Sequence, residues 1–146
     1  MPQKGLADEM ARNCLMGRAR LMARIITGIY EQQLRPFGLK ASQLNLLVVV
    51  AQEGPIRRNE IGRFIHLDVS TLTRNLQVML TNGWIEEAQD YSDGRGLPLQ
   101  ITKSGESLLA DVAPAWRKAQ RRTRELLGAE GTSVLMDVSK ALLGTA

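Results

Sequence analysis

The side chains best suited to covalent or metal chemistry are scarce here: 146 residues contain one histidine, His66, and one cysteine, Cys14. Nucleophilic catalysis needs a base within hydrogen-bond reach of a Ser, Thr or Cys, and no local Cys/His pair or Ser/His/Asp arrangement is visible. A transition-metal site usually wants several His or Cys ligands, which the sequence lacks. The glycines follow neither standard phosphate-loop spacing. These residues point away from an enzyme, with no cofactor and no metal expected.

A different chemistry is legible between Glu60 and Gln77. Ser70, Thr71, Thr73, Arg74 and Gln77, with Asn75 beside them, combine short hydrogen-bonding side chains with a guanidinium. Such groups bond phosphates and read base edges in a DNA groove. No carboxylate is expected on that face. A solvated helix surface has the same residue types, so the elements around the segment decide what it does.

Those elements read as a helix-turn-helix, which needs a short helix, a tight turn and a second helix with one face packed inward. Ile61, Ile65, Leu67, Leu72 and Leu76 form the expected inward set, and Gly62 is expected to let the two helices approach. The first helix fits 57–65. The second fits 69–81, with Asp68 as N-cap and Asn82-Gly83 as its stop. Trp84-Ile85 and Leu97 to Ile101 then read as two short strands around a polar loop.

On either side lie long helical patterns. From Leu6 to Leu34 apolar residues recur at helical spacing through Leu15, Ala19, Met22, Ile26 and Ile29, predicting one helix that ends before Pro36. Its apolar residues spill beyond one stripe, so it needs more partners than a small domain supplies. A turn over Pro36 to Lys40 leads to a helix over 42–53 that buries Leu44, Leu47 and Val48. Thr102 caps a long helix with a kink expected at Pro114. Gly128 to Gly131 breaks it before a last amphipathic helix from Thr132 to Leu143.

Composition agrees with a helical subunit: 44% hydrophobic, 23% charged and 4% aromatic. No apolar run is long enough to span a bilayer, and the N-terminus does not read as a secretory signal, so a cytoplasmic location is expected. The formal net charge is +4, yet its distribution does not single out the helix-turn-helix. Residues 54–106 hold six Lys or Arg against seven Asp or Glu, whereas residues 1–40 hold seven against three. Arg57, Arg58, Arg74 and Arg95 are therefore the discriminating cations: clustered on one face they favour DNA, scattered they favour a winged-helix interaction or effector-binding module without DNA affinity.

The chain resembles the MarR family of winged helix-turn-helix transcription regulators. The resemblance rests on Gly38-Leu39 through Gln43, Asp68 through Asn75, Asn82-Gly83-Trp84-Ile85, Asp93-Gly94-Arg95 and Leu99-Gln100-Ile101-Thr102. It implies a mainly α fold with a small β-wing, in which 38–102 form the DNA-binding region and 6–34 and 103–146 are dimerisation helices. It further implies a homodimer on a pseudo-palindromic operator, with Arg95 in the minor groove and Asp93 bracing it. Repression relieved by an oxidant or by a small aromatic or lipophilic ligand is the expected mode. Cys14 is a candidate sensor thiol, although packing is the commoner use of such a residue, and Met10, Arg18, Phe37 and Trp116 are candidate ligand-lining residues. Two positions depart from the family pattern. Lys40 stands where a capping Thr is usual, which delays the expected helix start to Ser42, and His66 replaces a turn glycine, where a structural role is expected.

Overall fold

The computed structural model describes residues 2–65, 67–89, 94 and 96–143. His66 and the Asp93 and Arg95 positions therefore lie outside the described residues. The helix expected over 6–34 is two helices, α1 (Pro2–Asn13) and α2 (Leu15–Leu34). Cys14 divides them: its backbone is extended (φ −69°, ψ 108°), and Gly17 N–H donates to its Sγ at 3.4 Å. The expectation of a packed cysteine within a continuous helix is thus corrected, because a half-buried N-cap meets the unpaired amides of the second helix.

A single 3₁₀ turn, Arg35–Phe37, ends at Gly38, whose φ of 65° suits glycine. Helix α3 (Ala41–Glu53) then starts earlier than expected from the missing threonine. Its first amides are served otherwise. Lys40 N–H donates to Gln43 Oε1 at 3.0 Å, and Ala41 N–H donates to the Glu31 carboxylate at 2.7 Å.

Helices α4 (Arg58–Phe64) and α5 (Val69–Thr81) follow, then strands β1 (Ile85–Glu87) and β2 (Leu99–Ile101). The strands are antiparallel, pairing Ile85 with Ile101 and Glu87 with Leu99. Ile56 joins the sheet as a bridge, exchanging backbone hydrogen bonds with Leu99 at 2.9 and 2.8 Å. The second strand starts at Leu99 rather than Leu97, and Pro98 just before it has no N–H to give a ladder. The first begins at Ile85, one residue after Trp84.

Helix α6 (Lys103–Leu143) leaves helical geometry at Gly128 (φ 72°, ψ 172°), as its glycines predict, and not at Pro114. Proline there keeps helical dihedrals, so the expected kink does not divide the helix.

The core has two parts. Leu46, Leu47, Val50, Ile61, Leu76 and Met79 centre the first, between α3, α4, α5 and the sheet. Leu34, Leu39, Leu44 and Val112 form the second, between α2, α3 and α6. Trp84, Leu108 and Leu109 pack against both, so the first turns of α6 bind the two parts together. Contact is close: a Cβ on Gly105 would sit 2.1 Å from the Trp84 carbonyl oxygen. Gly62, by contrast, is not needed for helix approach, since a Cβ there would meet Leu72 at an ordinary 3.8 Å. Val48, expected inside, is 38% exposed, and the polar Gln43 is buried because its amide serves the helix start.

Apolar side chains remain outside these cores. Leu15, Met16, Leu21 and Ile25 of α2 are exposed, Leu15 to 84%, as are Val134, Leu135, Met136 and Val138 beyond Gly128. Among the described residues no helix is long and apolar enough to cross a membrane.

Candidate nucleic-acid interface

Helix α5 is positioned from beneath by Leu72, Leu76 and Met79, all buried. Helical spacing then turns Ser70, Thr73, Arg74 and Gln77 outward, and all four are exposed, while Thr71 and Asn75 are half-buried at the margins. Asp68 caps the helix as expected. Its carboxylate accepts the Thr71 N–H at 2.8 Å, the Thr71 hydroxyl at 2.9 Å and the Ser70 hydroxyl at 2.7 Å. Hydrogen bonds donated by the Ser70 hydroxyl and by the Thr71 N–H and hydroxyl hold the Asp68 carboxyl at about 2, below its ordinary 3.8.

This arrangement refines the chemistry read from sequence. With both hydroxyl hydrogens committed to Asp68, Ser70 and Thr71 offer oxygen lone pairs to a ligand rather than donors. Donation falls to the Arg74 guanidinium, which lies 3.5 Å from Thr71 Oγ1, and to Gln77, whose amide reaches Thr81 Oγ1 at 3.4 Å. The Asp68-x-Ser70-Thr71 spacing carried this signal, since an N-cap carboxylate lies within reach of hydroxyls two and three residues on.

Arg57 and Arg58 are brought together at the start of α4, beside the root of the wing. They line a cleft of about 480 Å³ with Asn59, Glu60, Arg63 and Glu87, closed on the wing side by Gly96 and Leu97. Arg58 is 3.8 Å from Glu87, and Glu60 accepts the Arg57 N–H at 2.8 Å. Sequence reading missed Arg63, which follows Arg58 on the same short helix. Arg74 lies on α5, outside this group.

The candidate ligand residues separate. Trp116 lines a cavity of about 240 Å³ between α2, α3 and α6, together with Ile26, Thr27, Tyr30, Leu44 and Asn45. Phe37 packs instead against the second core. Met10, Cys14 and Arg18 do not line this cavity; Met10 is exposed on α1, and Arg18 donates to the Arg12 carbonyl at 3.0 Å. Sequence reading missed Tyr30, whose hydroxyl donates to Gln120 Oε1 and whose burial pushes its phenol pKa up. Among the described residues no cluster of His, Cys, Asp or Glu could hold a metal.

A capped helix with a polar outer face, a preceding short helix and a two-stranded wing define a winged helix-turn-helix. The MarR family model matches residues 37–96, from the 3₁₀ turn through α3, α4, α5 and the first wing strand. The HTH-type transcriptional regulator YwoH of Bacillus subtilis is 31% identical over 90 residues, spanning 62% of this chain and 65% of YwoH. Less than two thirds of that relative's length is therefore matched. Structural likeness extends further. A Cys-to-Ser mutant of Escherichia coli MarR, complexed with operator DNA, superposes with a TM-score of 0.78 at 20% identity over 92% of this chain and 97% of that one. A Mycobacterium tuberculosis MarR family protein in complex with salicylic acid gives 0.68 at 20% identity, over 88% and 95%. These likenesses show the fold.

Proposed function

We propose that the chain is a sequence-specific DNA-binding transcription regulator. The observation that carries this reading is the outer face of α5, where Ser70, Thr73, Arg74 and Gln77 stand exposed on a helix locked by Asp68. The operator complex of the structurally similar MarR supports it. In this reading α5 enters the major groove, with Thr71 and Asn75 at its margins, and the wing, carrying Arg95 braced by Asp93, enters the adjacent minor groove. The chain works as a homodimer, its exposed α2 and post-Gly128 residues covered by a second copy. The two recognition helices then read half-sites roughly 34 Å apart, one helical turn, in a pseudo-palindromic operator. As a regulator it acts in the cytoplasm and catalyses nothing.

Repression is the sense of regulation we infer, relieved by a small aromatic ligand in the Tyr30–Trp116 cavity. The salicylic acid complex of the mycobacterial neighbour supports that ligand class. The cavity lies between the helices that bear the exposed apolar face and α3 of the reading unit, so a ligand that fits one arm position better shifts the arms.

The test is a gel-shift competition using DNA from the gene's own upstream region as probe. Retention that survives excess unrelated duplex and is lost to excess unlabelled probe supports the assignment. Equal competition by both duplexes contradicts it and leaves the interaction-module reading.

A further inference from the structure

The geometry points to a seat for one phosphate group in the cleft between α4 and the wing root, with Arg63 and Arg58 supplying the charge. This inference deepens the DNA-binding reading and rests on it for the identity of the phosphate. Three arginines, Arg57, Arg58 and Arg63, line one cleft of about 480 Å³ against two carboxylates, Glu60 and Glu87. Glu60 accepts the Arg57 backbone N–H at 2.8 Å, and Glu87 faces Arg58 at 3.8 Å. Among the described residues Arg63 has no ion-pair partner.

The Arg58–Glu87 contact is long, and both side chains are nearly half exposed. Exposed pairs of that kind are weak, so Arg58 can turn from Glu87 to an incoming anion at little cost. A phosphate then meets two guanidiniums, each able to donate two parallel hydrogen bonds. The position fits a backbone contact. α4 is the first helix of the motif and Gly96-Leu97 the root of the wing, so a strand whose neighbouring grooves receive α5 and the wing passes over this cleft. Such a contact holds register and carries no sequence information. It also accounts for how a segment with no net positive charge can grip DNA: its cations are grouped where the backbone runs.

Two arms test it on the intact chain. In the first, binding to a mixed-sequence 24-base-pair duplex is followed by anisotropy across a salt series for wild type, Arg63→Ala, Arg63→Lys and Glu87→Gln. Each lost phosphate contact flattens the slope of log K against log salt by about 0.9. We expect Arg63→Ala to weaken binding about tenfold and flatten the slope by that amount per protomer, Arg63→Lys to retain most binding, and Glu87→Gln to tighten it. In the second arm, inorganic phosphate is titrated against thermal unfolding of wild type and Arg63→Ala. Phosphate stabilisation lost in Arg63→Ala, without any duplex binding by wild type, would keep the seat, assign it to a free phosphoryl ligand and sink the DNA reading instead. Duplex binding whose affinity and slope ignore Arg63→Ala overturns the seat while leaving the DNA reading intact. A wild type that responds in neither arm overturns the seat and the DNA reading together.

Discussion

Asp68 grips Thr71 twice, accepting its backbone N–H at 2.8 Å and its hydroxyl at 2.9 Å. One carboxylate thereby caps α5 and sets the hydrogen-bonding sense of its first turn. Ser70 is held in the same way at 2.7 Å, so the outer face presents acceptors near its start and donors, Arg74 and Gln77, one turn later.

The cap makes acid stability depend on Asp68. Its folded-state value of about 2 lies below the ordinary 3.8, so its contribution is complete above the upper value and is lost as pH falls toward the lower. Asp68→Ala should lower Tm at pH 7, and the gap between variant and wild type should close between pH 3.8 and about 2. Thermal unfolding across that range reads the effect, and a gap that stays constant with pH contradicts it.

Arg74 and Ser70 should separate in DNA binding. Arg74→Ala removes an outward donor of the kind worth about 1–3 kcal/mol at a base edge, whereas Ser70→Ala removes a hydroxyl whose hydrogen is already committed to Asp68. Anisotropy should show the arginine variant losing roughly tenfold or more and the serine variant several-fold less. Equal losses would mean that Ser70 donates to DNA.

Gly105 should tolerate no side chain. Its Cβ would meet the Trp84 carbonyl oxygen at 2.1 Å and Ile101 Cγ1 at 2.7 Å, where backbone has to shift. Gly105→Ala should cost about 3 kcal/mol as overpacking of a tight contact, read from urea unfolding. A loss below about 0.5 kcal/mol would show that α6 does not seat there.

The exposed apolar faces of α2 and the end of α6 call for a second copy. Sedimentation equilibrium should give twice the 16.2 kDa chain mass, and Leu135→Glu with Val138→Glu should reduce it to one chain. A wild-type monomer would contradict the dimer.

Trp116 would report by its own emission a ligand bound in the cavity it lines. With Trp84→Phe leaving it the one tryptophan, titration with salicylate should quench its emission saturably, and Tyr30→Ala should weaken that response at least several-fold, since both residues line the same cavity. Quenching unchanged by Tyr30→Ala would place the ligand elsewhere.

Much of the fold could be read from local signals. Asp68 and Asn82-Gly83 bracket α5 at both ends, and capping chemistry is local enough to set those boundaries. The break at Cys14 could not be read that way. Apolar periodicity runs straight through it, and only the positions of neighbouring amides reveal that Sγ acts as a cap. The start of α3 failed for a related reason, because Glu31 reaches it from ten residues upstream. At the site, the α5 face followed from helical period alone. The cleft that joins Arg58 and Arg63 to Glu87 depends on a strand more than twenty residues away, and Tyr30 and Trp116 come to line one cavity through packing of α2 on α6. Periodicity assigns a side chain to a face of its own helix but does not say which other element comes to lie against it.

In the proposed function α5 and the wing together read a DNA sequence. Its most direct test is the anisotropy of a labelled duplex from the gene's own upstream region, titrated with salt for wild type, Arg74→Ala and Arg95→Ala. Sequence-selective binding is expected, falling steeply with salt as counterions are released and dropping in both variants. Binding that is absent, or indifferent to sequence and to both arginines, would contradict it.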